Sequence, residues 1–142
     1  MPVQKILAID WGKKSWGLAL GLHADMIQPL PAQKASRGWV SQQAIQELIR
    51  TWEPHALVIG LPLNMDGTQQ PITRHVLKLS AWLETWLQIP VYLQDERLTT
   101  KEARRQLNIK KGADSKKNKE VIDSYAAMLI LEAWFLSQDA GE

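Results

Sequence analysis

Hydrophobic positions change rhythm along the chain, and each change marks an element. The stretch from Gln4 to Ile9 is rich in strand-forming apolar residues and stops abruptly at Asp10. A glycine-containing turn follows, then a second apolar stretch, Trp16-Gly17-Leu18-Ala19-Leu20. The pair predicts a β-hairpin that holds Asp10 at the tip of a buried strand. Met26 to Leu30 predicts a short third strand, closed by Pro31.

The period then changes to that of a helix. Ser41 can cap a helix running to Trp52, whose Ile45, Leu48, Ile49 and Trp52 share one face before Pro54 ends it. Ala56-Leu57-Val58-Ile59 is continuously apolar, as expected of a strand covered on both faces. The segment from Gly60 to Thr68 is punctuated by Gly, Pro, Asn and Asp-Gly and reads as a loop. Pro71 opens a second helix with Ile72, Val76, Leu79, Leu83 and Trp86 in a narrow stripe. Pro90 precedes the strand Val91 to Gln94, which runs into Asp95-Glu96-Arg97. Thr99 and Glu102 match a capping box for a short basic helix to Leu107. Residues 108–117 offer little to bury and read as a mobile basic loop. A final helix from Asn118 to Leu136 carries Ile122, Ala126, Leu129, Ile130 and Ala133 on its apolar face, with Asp123 beside it.

The order β-β-β-α-β-α-β-α-α predicts an α/β fold in one domain spanning residues 1–142. Three antiparallel strands lead into two parallel ones, because right-handed crossovers add strands parallel to the first. The result is a mixed five-stranded sheet with helices on both faces.

Composition narrows the functional classes. At 142 residues the chain can bury a real core, and its 45% hydrophobic and 23% charged content is that of a globular domain. It has no cysteine, which excludes disulfides and thiolate-ligated zinc. No apolar run reaches membrane-spanning length and no signal-peptide pattern opens the chain, so a cytoplasmic location is expected. The net charge of +2 is small but unevenly placed. From Arg97 to Lys119 run Arg97, Lys101, Arg104, Arg105, Lys110, Lys111, Lys116, Lys117 and Lys119, opposed only by Glu102 and Asp114. Such a window suits a polyanion, nucleic acid above all, although a solvated basic loop has the same composition.

Three acidic sites lie where the topology can bring them together: Asp10, the pair Asp95 and Glu96, and Asp123. With no His or Cys among them, all-oxygen ligation favours Mg²⁺ or Mn²⁺. Two such ions about 4 Å apart can activate water against a phosphodiester. Taken singly, each acid is more often a surface group or a helix cap; Asp10, placed after a buried strand, is the exception. Arg97 can clamp a phosphate or pair with Asp95, and the lysines from Lys110 to Lys119 are expected to contact phosphates. Asn64 and Asp66 can touch substrate, but Asx residues that satisfy their own turn are the simpler reading. Trp52, Trp86 and Trp134 read as core, whereas Trp11 either packs under the hairpin or stacks on a base. His23, His55 and His75 share no ligand spacing and receive no role.

Four ordered segments then resemble one family: Ile9-Asp10-Trp11-Gly12-Lys13-Lys14-Ser15-Trp16-Gly17-Leu18-Ala19, Val58 to Gly67, Asp95-Glu96-Arg97-Leu98-Thr99-Thr100, and Lys119 to Ala127. The chain resembles the YqgF/RuvX family of RNase H-like nucleases over nearly its whole length. The resemblance implies an RNase H-like fold and magnesium-dependent cleavage of structured nucleic acid, with maturation of the 5′ end of 16S rRNA, alone or on pre-ribosomal particles, as the expected role. It implies Asp10, Glu96 and Asp123 as the catalytic, metal-binding acids, holding two ions, and it favours Glu96 over Asp95. Family members usually carry a basic residue at Ser15; either Lys13 and Lys14 take over its phosphate contact, or binding is weaker.

Three rivals follow. A resolvase of four-way DNA junctions would normally act as a dimer, and the sequence does not choose between monomer and homodimer. A non-catalytic RNA-binding assembly factor would keep the basic window without metal dependence. An ATPase lobe of the actin or sugar-kinase type opens with a similar hairpin, but the chain is too short for its second lobe.

Overall fold

The computed structural model describes residues 4–97 and 115–140, apart from the side chains at 115–123 and 139–140. The expected basic helix from Thr99 to Leu107, and residues 108–114 of the expected loop, lie outside the described residues.

Five strands, β1 (Ile6–Asp10), β2 (Ser15–His23), β3 (Met26–Lys34), β4 (Ala56–Leu61) and β5 (Val91–Asp95), form one sheet in the order β3-β2-β1-β4-β5. β1 pairs antiparallel with β2, and β2 with β3; β4 and β5 add in parallel. The helices are α1 (Gln42–Trp52), α2 (Pro71–Leu87) and α3 (Ser115–Ala140). This is the mixed sheet expected from the element order.

Strand alternation divides the core in two. Leu7, Ile9, Leu57 and Ile59 face one side and pack with Ile45 of α1 and Val76, Leu79 and Leu83 of α2. Ile6, Ala8, Ala56 and Val58 face the other side and pack with Ala127, Ile130 and Leu131 of α3. Burial on both faces explains the unbroken apolar runs of β1 and β4, each large side chain contributing about 1.5–3 kcal/mol. The small residues Ala8, Ala19 and Ala56 let α3 lie close to the sheet. Ser41 caps α1 as expected, its Oγ accepting the Ala44 N–H at 3.1 Å.

Two boundaries differ from expectation. β3 continues through Pro31 to Lys34. It is an edge strand, where a missing N–H is harmless if it faces solvent. The last helix starts at Ser115, inside the stretch expected as loop, and ends at Ala140. No proline or glycine separates Ser115 from Asn118, so nothing in the chain stops the helix there.

α3 is also tied to the far strand by a buried polar contact: the Ser124 hydroxyl donates to the Leu30 carbonyl at 2.6 Å. Replacing Ser124 by Ala removes that hydrogen bond. We expect Ser124→Ala to lower unfolding free energy by about 1–2 kcal/mol in a urea titration. A change near zero would show that the hydrogen bond does not hold α3 to β3.

Candidate active site

The site begins with the phase of three parallel strands. Ile9 pairs with Ile59, so Asp10 and Gly60 are the next residues along β1 and β4. Even-numbered positions of these strands face α3, as Ile6, Ala8, Ala56 and Val58 do, and Asp10 and Gly60 continue that series. On β5, Leu61 pairs with Asp95, and the Glu96 N–H donates to the Leu61 carbonyl at 3.3 Å. Glu96 therefore turns to the α3 face with Asp10, and Asp95 does not.

The two carboxyl groups of Asp10 and Glu96 are hydrogen-bonded to each other. Glu96 lies over Gly60: a Cβ there would come within 2.5 Å of Glu96 Oε2 and 2.6 Å of Ile130 Cδ1. Only a glycine leaves room for that carboxyl group between the sheet and α3. The Oε2 atom is buried with no hydrogen-bond partner. Burial pushes the Glu96 carboxyl above the usual carboxylate range; the hydrogen bond with Asp10 opposes the shift, and the Asp95 charge adds to it.

Asp95 is engaged elsewhere. Its carboxylate accepts the Arg97 backbone N–H at 3.0 Å and the Arg97 Nε–H at 2.7 Å, with Nη2 also at 2.7 Å. The guanidinium holds the Asp95 carboxyl below its ordinary range. Arg97 Nη1 also donates to the Met65 carbonyl at 3.2 Å, pinning the loop after β4 to the end of β5. Of its two expected roles, Arg97 takes the pair with Asp95. Within that loop, Asp66 Oδ1 accepts the Thr68 N–H at 3.0 Å and its hydroxyl at 2.6 Å. Asn64 Nδ2 donates to Thr68 Oγ1 at 2.9 Å. These Asx side chains satisfy their own turn, the simpler of the two readings.

Asp123 belongs to α3, but its side chain is outside the described residues. The same holds for the side chains of Lys116, Lys117 and Lys119, while Arg104, Lys110 and Lys111 lie wholly outside. Among the described residues, no three His, Asp or Glu side chains gather closely enough to hold a metal ion. Asp10 and Glu96 form a pair. Lys13 and Lys14 sit exposed on the β1–β2 turn. Trp52, Trp86 and Trp134 are half-buried against the two cores, as expected. Gly60 carries a role the sequence reading missed; its position beside Asp10 on a parallel neighbour was the available signal.

A buried oxygen without a donor, beside a second carboxyl group, fits a hard divalent cation: the cation would supply the charge that water supplies elsewhere. Without one, the folded state favours the protonated Glu96. Its contribution to stability is then full below the ordinary carboxylate value and is lost as pH rises through its raised value. We therefore expect Glu96→Gln, in EDTA at neutral pH, to melt above the unsubstituted protein, with the gap closing as pH falls into the acid range. Equal melting temperatures at all pH values would contradict the buried-charge assignment.

The comparisons with known proteins agree with this architecture. The RuvX family, described as Holliday junction resolvase, matches residues 4–137. A protein from Actinobacillus pleuropneumoniae serotype 7 named "Putative pre-16S rRNA nuclease" is 43% identical over 134 residues, covering 94% of this chain and 97% of its own. One of the same name from Glaesserella parasuis serovar 5 is 44% identical over 136 residues, covering 95% and 98%. Among solved structures, Thermus thermophilus RuvC in complex with Holliday junction substrate superposes with a TM-score of 0.56 at 15% identity, covering 95% of this chain and 96% of that one. A second Thermus thermophilus RuvC structure gives 0.54 at 14% identity, with 96% of each chain covered. At such identity the likeness establishes the RuvC-like, RNase H-type fold. With the family match spanning almost the whole chain, this protein belongs to the RuvX family.

Proposed function

We propose that this chain is a metal-dependent nuclease that hydrolyses phosphodiester bonds, and that its substrate is the 5′ end of precursor 16S rRNA. The observation that carries the reading is the Glu96 carboxyl group, buried over Gly60 against Asp10 with Oε2 unpartnered. Folding alone gains nothing from placing two acids there. The two closely similar relatives named for pre-16S rRNA support the choice of substrate.

Asp10 and Glu96 would hold Mg²⁺ or Mn²⁺, joined by Asp123 from α3. The assignment of Asp123 rests on the family motif from Lys119 to Ala127. In this reading the three acids, on three separate elements, would hold two ions. A bound divalent cation supplies Lewis acidity, lowering the pKa of an attacking water and stabilising the leaving oxygen. The protein's own part is to fix the acids on a rigid sheet edge, exclude water from Glu96, and hold Asp95 away through Arg97. Lys13 and Lys14, with the basic residues Arg104, Lys110, Lys111, Lys116, Lys117 and Lys119, would contact the phosphates flanking the cut. Among the described residues no helix is long and apolar enough to cross a membrane. We place the activity in the cytoplasm, on free precursor rRNA or pre-ribosomal particles.

The family description, Holliday junction resolvase, favours a second reading in which the same acids cut four-way DNA. The two are separated by offering both substrates. With Mg²⁺ we expect cleavage of a precursor 16S leader RNA, none in EDTA, and losses of about 100-fold or more in Asp10→Asn and Asp123→Asn. Gly60→Ala should lower the rate about 10–100-fold by displacing Glu96. Paired cuts in the junction with the RNA untouched would establish the resolvase reading instead. Binding of both without cleavage under any metal would leave an RNA-binding assembly factor.

A further inference from the structure

The residue after Asp10 opens a second feature on the opposite face of the sheet. Trp11 lines an open cleft of about 680 Å³ with Lys13, Arg37, His75 and the start of α2 from Gln70 and Pro71. That volume is within the range of small-ligand sites. None of its lining residues is acidic. The ion pairs among the described residues involve neither Lys13 nor Arg37. The first turn of α2 also carries no acidic side chain, so the positive end of the helix adds to the two cations.

The cleft wall is built with strain. Arg37 and Gly38 are both left-handed, with φ of 54° and 87°. Reciprocal hydrogen bonds between Ser36 and Trp39, at 2.8 and 3.0 Å, close a two-residue turn around them. Arginine is an unfavourable residue at such a position. The turn is nevertheless clamped: the Gly38 carbonyl accepts both the Trp11 and Trp16 indole N–H groups, at 2.9 and 3.1 Å. The Gly38 N–H donates to the Lys13 carbonyl at 2.9 Å. A Cβ at Gly38 would strike Trp11 Cζ2 at 2.4 Å. Trp11 and Trp39 also pack against the His75 ring, with centroids 5.0 and 5.4 Å away. His75 Nε2 is buried beneath the turn, next to Gly38, without a hydrogen-bond partner. A guanidinium held on a strained turn, a lysine and a half-buried indole match a phosphate joined to a heterocyclic base.

We propose that this cleft is a subsite for one unpaired nucleotide next to the cleaved phosphate, with Trp11 stacking on its base and Lys13 and Arg37 on its phosphate. Because Asp10 and Trp11 are adjacent and face opposite sides of β1, a strand cut at the acidic pair crosses the sheet edge to enter the cleft. This placement rests on the nuclease reading; nucleotide binding itself does not. The subsite would require the cut to lie beside single-stranded substrate.

The test measures binding in EDTA, where no cutting intervenes, by the full chain. Two fluorescein-labelled RNAs are compared: a blunt hairpin, and the same hairpin with unpaired nucleotides at both ends. We expect the extended RNA to bind about tenfold more tightly, the scale of one stacked base with its phosphate contact. Arg37→Gly removes the guanidinium and relieves the left-handed strain, so the fold is retained. It should abolish the preference and leave blunt-hairpin affinity unchanged. Trp11→Leu should do the same, and Trp11→Phe, which keeps a stacking ring, should restore most of it. A 2-aminopurine at the unpaired position should be quenched by the unsubstituted protein and by Arg37→Gly at saturation, but not by Trp11→Leu. Equal binding of both RNAs, or equal weakening of both by Arg37→Gly, overturns the subsite. No preference in the unsubstituted protein, with its Mg²⁺-dependent cleavage intact, rejects the subsite alone. A retained preference without cleavage under any metal rejects the nuclease reading and leaves the subsite standing.

Discussion

Two carboxyl groups in contact at the edge of an apolar sheet are unstable neighbours unless a proton or a cation lies between them. Asp10 and Glu96 are held in that relation by backbone geometry: β1, β4 and β5 run parallel, Asp10 follows in register with Gly60, and Glu96, two residues past Gln94, the partner of Gly60, reaches over that glycine on the α3 face. Gly60 makes the arrangement possible by omitting a side chain, and Ile130 closes it from above. Burial raises the Glu96 pKa, so the fold carries a cost for its charge that a bound cation would relieve. The strand phase, the glycine and the helix serve one purpose, keeping water from a carboxylate that would otherwise be solvated.

The same edge organises its surroundings by alternation. Asp95, one residue from Glu96, points the other way and is neutralised by Arg97, which in turn ties down the loop after β4. Trp11, one residue from Asp10, likewise points away and helps to build the clamped turn around Arg37 and Gly38. Adjacent residues on two strands thus separate an acidic centre on one face from a basic, aromatic cleft on the other. A nucleic acid strand presents both a phosphate to hydrolyse and bases to stack, and crossing this edge would let it use both.

Much of the frame was legible from the sequence, because burial on two faces writes itself as continuous apolar runs and amphipathic helices as stripes. Asp10 stood out since a carboxylate ending such a run breaks the pattern. The choice between Asp95 and Glu96 was not legible from the residues: both flank the strand end, and the pairing of Leu61 with Asp95 sets the phase. Pro31 misled because a proline on an edge strand need not end it, and the start of α3 because a charged helical turn buries nothing that a pattern could reveal. The cleft was hidden for another reason. Arginine is not a residue that signals a left-handed turn, and His75 becomes notable only once Trp11 and Gly38 lie against it.

The most direct test of the metal-centre reading is crystallographic: soaking crystals with Mn²⁺ at neutral pH and collecting data at a wavelength with manganese anomalous signal. A cation site at this edge requires an anomalous peak beside both Asp10 and Glu96, with their mutual hydrogen bond broken and Oε2 of Glu96 turned onto the ion. An unchanged carboxyl–carboxyl hydrogen bond under saturating Mn²⁺, with any peak lying elsewhere, would contradict it.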